Sequence, residues 1–63
     1  MRQVFIGDQL RIKDKDGHLY EGEAIYVEAA DLSDSGENEI VLEKYSGGIR
    51  VFTESSIESI AIV

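Results

Sequence analysis

The chain has no cysteine and no proline, a single histidine, and no apolar run longer than the four residues at 60–63. Without cysteine there is neither a disulfide nor a thiolate-bound zinc to hold a small domain together. Four apolar residues are far too few to span a bilayer, which takes about 20. No apolar segment follows a basic start, so no secretory signal is expected and the cytoplasm is the expected compartment. One histidine, His18, has no serine, paired carboxylate or second histidine around it in sequence. Nothing in the chain has the make-up of a catalytic centre, and no enzyme, cofactor or metal is expected.

Cations are scarce where they would matter for nucleic acid. The formal charge is −7, and residues 21–43 carry eight carboxylates with no Lys or Arg. Nucleic-acid affinity comes largely from Lys and Arg displacing phosphate counterions. An acidic middle opposes it, so the balance argues against nucleic acid and for protein as the partner.

What the chain has is 63 residues, read as one small domain over 1–63. A domain of this size buries only about 60% of the surface of its unfolded chain. Its core supplies no more than about 3–5 kcal/mol of net stability. Close packing or self-association must provide what disulfides do not.

Alternation of apolar and polar residues organises most of the sequence. Over 8–15, Leu10 and Ile12 point one way and Arg11, Lys13 and Lys15 the other, a half-buried strand. The three cations on one face suit a solvated face or a lysine-guarded edge, with a phosphate contact as the alternative. Asp16-Gly17 is a hairpin turn. The return strand, 18–28, contains a conflict. Tyr20, Gly22 and Ala24 share one parity, while Ile25 and Val27 have the other. A flat strand cannot bury both sets, so a bend or bulge is expected near Gly22–Ala24, where the absent side chain lets the strand coil between two half-sheets.

Residues 29–39 are polar and acidic, a long loop whose like charges would keep it mobile and whose one sizeable apolar residue, Leu32, is the candidate anchor. Strands follow at 40–45 and 49–53, joined by a turn at Ser46-Gly47-Gly48. Ser55 and Glu58 match a capping box, but so little chain follows that a single helical turn is expected there. It would place Ile57 and Ile60 on one side. The last strand, 60–63, is apolar on both faces and needs cover on both.

Calcium is the first metal to weigh against so many carboxylates. The window 12–23 places Asp14, Asp16, Gly17, Leu19 and Glu23 at EF-hand positions, but Ile12 stands where the first acidic ligand belongs and the flanks alternate as strands. Asp31, Asp34, Glu37 and Glu39 could gather a cation or a basic partner weakly; a solvated loop is the simpler reading. Gly47-Gly48 lacks the following lysine and helix of a phosphate loop.

Ile6-Gly7-Asp8-Gln9-Leu10-Arg11-Ile12, Asp16-Gly17-His18-Leu19-Tyr20-Glu21-Gly22 and residues 51–60, in a chain of five strands with a bent second strand and one helical turn before the last, resemble the Sm-like (LSm) family, within the Src-homology-3-like barrels. The resemblance covers most of the chain. It implies an all-β fold, a small five-stranded, strongly bent antiparallel barrel, and subunits that pair edge to edge through the last two strands. The family's RNA-contacting motifs are absent. Glu28-Ala29-Ala30-Asp31 stands where Asp-Met-Asn would be, and Thr53-Glu54-Ser55 where an Arg-Gly or Lys-His would be. The expected function is therefore a non-enzymatic protein-interaction or self-assembly module, a homo-oligomer or a partner of another protein, with an interface of Phe52, Ile60, Ile62 and Val63. The alternative is RNA binding through Arg11, Lys13, Lys15 and the exposed tyrosines Tyr26 and Tyr45.

Overall fold

A computed structural model describes residues 3–63, so Met1 and Arg2 of the expected domain lie outside the described residues. The elements are β1 (Gln9–Asp14), β2 (Leu19–Glu28), β3 (Glu39–Lys44), β4 (Ile49–Thr53), a single 3₁₀ turn (Glu54–Ser56) and β5 (Ile57–Ile62). They form one antiparallel sheet in the order β4-β3-β2-β1-β5. Among the described residues the sheet is not closed by strand pairing; β4 and β5 are its two edges. All-β architecture with five antiparallel strands is as the alternation requires.

β2 is the element both halves share. Leu19–Glu23 pairs with β1, and Gly22–Glu28 pairs with β3. The register with β3 shifts between Ala24 and Tyr26, leaving Ile25 as the extra residue. Ala24 lies opposite Leu42, and Val27 opposite Ile40. Both pairs face the core although 24 and 27 differ in parity, because one inserted residue reverses the alternation. The irregularity thus falls just after the segment where the parity conflict locates it.

Gly22 serves a different purpose from the turn glycines. A Cβ there would lie 2.1 Å from the carbonyl oxygen of Glu43 and under 3 Å from two further backbone atoms. The β3 backbone occupies the space a side chain would need. At Gly17, by contrast, φ is +89°, the left-handed conformation that the β1–β2 hairpin requires.

The core is Val4, Leu10, Ile12, Ala24, Ile40, Leu42 and Phe52, with Tyr20, Val27, Ile57 and Ile60 packed against it. Phe52 is the largest buried side chain. Tyr20 meets it edge to face at 5.2 Å, and the Arg50 guanidinium lies 4.8 Å from the Tyr20 ring centre and 5.3 Å from that of Phe52. The segment before β1 is tied to the middle of β2 by Gly7 N–H to Ala24 O (2.7 Å) and Ala24 N–H to Asp8 O (2.9 Å), which holds Val4 over the core.

Three local expectations change. The 3₁₀ turn starts at Glu54 with Thr53 before it and no side-chain cap, and Glu58 belongs to β5, so Ser55 and Glu58 form no capping box. Ile57 and Ile60 reach the core together because β5 is irregular: Ile57 pairs with Asp14 and Ser59 with Lys13, leaving Glu58 as the odd residue. Leu32 does not anchor the loop; it is 74% exposed. Hydrogen bonds organise residues 29–38 instead. Ser33 Oγ donates to Glu37 O (2.5 Å), Ala30 N–H to Asn38 Oδ1 (2.9 Å), and the Ser55 N–H and Oγ both donate to the Glu37 carboxylate (2.7 and 3.1 Å).

Candidate functional site

The two free edges come first, because an unpaired strand edge is a row of unsatisfied N–H and C=O groups. The end of β5 is apolar: Ile62 is 40% exposed and Val63, just after the strand, 60% exposed, while Ile60 is half-buried against the core. β4 carries exposed Ile49 and Val51. Of the four residues expected to form an interface, three therefore lie at the β5 edge. Phe52 does not belong with them. It is 1% exposed, directly opposite Ile40, and leaves no surface for a partner. In sequence, between Val51 and Thr53, Phe52 suits core packing as well as an interface; the register with β3 decides that it points inward while Val51 points out.

The residues of the RNA alternative are dispersed and partly neutralised. Arg11 pairs with Glu21 at 3.0 Å and Lys13 with Glu58 at 3.2 Å. Lys15 has no ion pair among the described residues. The Tyr45 hydroxyl donates to Gln9 Oε1. Arg11 and Tyr45 do meet, with Leu19, Glu21, Lys44 and Ser46, around an open cleft of about 320 Å³. Tyr26 lies on another part of the sheet, in register with Val41.

Among the described residues, the acidic or histidine side chains that gather in threes are Asp14, Asp16 and His18. Asp14 is the buried member, and its role is visible in its bonds. Its Oδ1 accepts from the backbone N–H of Asp16 (3.0 Å) and of His18 (2.9 Å), and His18 Nδ1 is 3.6 Å from Oδ2. The carboxylate thus ties the β1–β2 hairpin turn. Burial pushes its pKa up, but the N–H groups of His18 and Asp16, the His18 charge and the Tyr20 hydroxyl outweigh burial and hold it below the ordinary value. A sequence signal existed: Asp14 continues the inward parity of Leu10 and Ile12 into a turn ending in glycine.

On the outer face of β2–β3–β4, cross-strand register brings together residues that are far apart in sequence. Tyr26, Val41 and Val51 stand in one row. On one side of it Glu23 lies opposite Glu43, and on the other Glu28 lies opposite Glu39. No helix among the described residues is long and apolar enough to cross a membrane. Comparison with protein-family models, with curated proteins and with solved structures finds no match for this chain.

Proposed function

We propose that the protein is a non-enzymatic, Sm-like small β-barrel that works through protein contact and assembles with copies of itself edge to edge, β4 of one subunit beside β5 of the next. The observation that carries this reading is the pair of free edges in one short sheet, with Ile62 and Val63 exposed along one and Ile49 and Val51 along the other. Natural sheets guard such edges with charge, proline or bulges. Here the outer half of β5 has no charge and the chain has no proline. The strand order and the β2 shared by both halves support this reading, while strand pairing among the described residues leaves the sheet open between β4 and β5. A cytoplasmic location accords with this role.

Analytical ultracentrifugation at micromolar concentration tests it. The expected species is a multiple of the 7.0 kDa chain, shifted towards monomer by Ile62→Lys. A clean monomer of the unaltered protein across that range overturns the assembly reading. The RNA alternative is favoured by one observation, the cleft that Arg11 shares with Lys44 and Tyr45. It requires salt-sensitive retention of single-stranded RNA, and no retention at low salt removes it.

A further inference from the structure

The outer face of β2–β3–β4 carries a pattern that works against the stability of the sheet. Like charges directly opposite each other on neighbouring strands are destabilising. This face has two such pairs, Glu23 with Glu43 and Glu28 with Glu39. None of these four carboxylates has an ion pair among the described residues. Between the pairs runs the row Tyr26–Val41–Val51, with Tyr26 and Val51 exposed. Ile49, opposite Glu43 and also exposed, extends the apolar surface at the β4 end.

The dimensions follow from sheet geometry. Strands about 4.8 Å apart make the three-residue row about 10 Å long. Same-face neighbours along a strand are about 7 Å apart, so the two carboxylate rows stand roughly 14 Å from each other. An α-helix with its side chains is about 10–12 Å across. A helix lying along the row would rest an apolar stripe on Tyr26, Val41 and Val51, and lysines or arginines flanking that stripe would reach a carboxylate row on each side.

We infer that this face is a docking surface for a basic amphipathic helix of a partner protein. Charge complementarity selects that occupant. The flanking carboxylates repel nucleic-acid phosphates and anionic lipid alike. A second copy of this chain cannot supply the helix from its described residues, whose helical content is the three-residue turn Glu54–Ser56. The surface shares β4 with the proposed edge assembly but uses different groups. Edge pairing engages β4 backbone groups in the plane of the sheet, whereas docking engages the Ile49 and Val51 side chains that stand out from it, so both contacts can exist in one particle.

The probe is a synthetic helical peptide with a leucine stripe flanked on both sides by lysines, titrated into the isotope-labelled full chain and followed by amide chemical shifts. The expected shifts cluster on Tyr26, Val41 and Val51 and on the four flanking glutamates. Glu23→Gln with Glu28→Gln should weaken binding by about twofold to thirtyfold, the combined range for two exposed charge pairs. The same double variant should melt no lower than the unaltered protein, because it relieves repulsion; this separates lost docking from lost folding. Tyr26→Ala should weaken binding with the charges intact.

Binding that is equally strong for a peptide of the same charge without the stripe overturns the inference, as does a shift map centred on β5 or on the Arg11 cleft. No binding at low salt overturns it too. The Ile62→Lys variant keeps this test distinct from assembly: it should still bind the peptide whether or not the chain self-associates.

Discussion

Gly22 of β2 approaches the backbone of β3 so closely that a Cβ on it would sit 2.1 Å from the Glu43 carbonyl oxygen. The neighbouring atoms are backbone, so no rotamer change can relieve the contact. Gly22→Ala must push β2 and β3 apart, and Gly22→Val must do so further. Overpacking of this kind costs about 1–3 kcal/mol, and in a domain this small each kcal/mol lowers Tm by about 4–8 °C. Thermal melts followed by circular dichroism should show a graded loss from Gly to Ala to Val. An unchanged Tm for Gly22→Val would mean that the close approach does not exist.

Phe52 separates the core from the interface. Phe52→Ala removes the largest buried side chain, a change that typically costs about 3–5 kcal/mol. That is comparable with the whole net stability available to such a chain, about 3–5 kcal/mol, so the variant should be largely unfolded at 25 °C. Ile62→Ala, on an exposed edge position, should keep a near-native urea midpoint and alter only sedimentation. Equal destabilisation by the two substitutions would contradict the burial described above.

Asp14 makes the hairpin sensitive to acid. Its carboxyl is held below the ordinary value in the folded protein, so the unfolded chain takes up the proton first as pH falls. The stabilisation is therefore fully present above the unfolded pKa, about 3.9, and is lost as pH falls through the lower folded value. Asp14→Asn should lower Tm at pH 7, and the difference from the unaltered protein should shrink below about pH 4. A difference that stays constant from pH 7 to pH 2.5 would show that the charge of Asp14 contributes nothing.

Much of the architecture was legible because period-two alternation is local. Leu10 and Ile12 against Arg11 and Lys13 define β1, and Asp16-Gly17 and Ser46-Gly47-Gly48 mark turns that the structure contains. The parity conflict between Ala24 and Val27 required an irregular β2, and Ile25 is that irregularity. The capping-box match at Ser55 misled because two residues at the right spacing say nothing about where the chain goes next. Glu58 is drawn into β5, beside Lys13, and cannot reach back to a cap.

From the sequence alone follow the all-β class, the strand count and the acidic centre. Pattern, turn glycines and charge are all properties of near neighbours. Only the tertiary structure decides that the sheet ends at β4 and β5, that Phe52 turns inward while Val51 turns out, and that Glu23 lies opposite Glu43 and Glu28 opposite Glu39, one pair on each side of an apolar row. Those pairings join residues 11 to 20 positions apart, and the single extra residue at Ile25 sets their register. One residue of slip would exchange the two faces of the strand, so which side chains meet a partner depends on packing that no local pattern encodes.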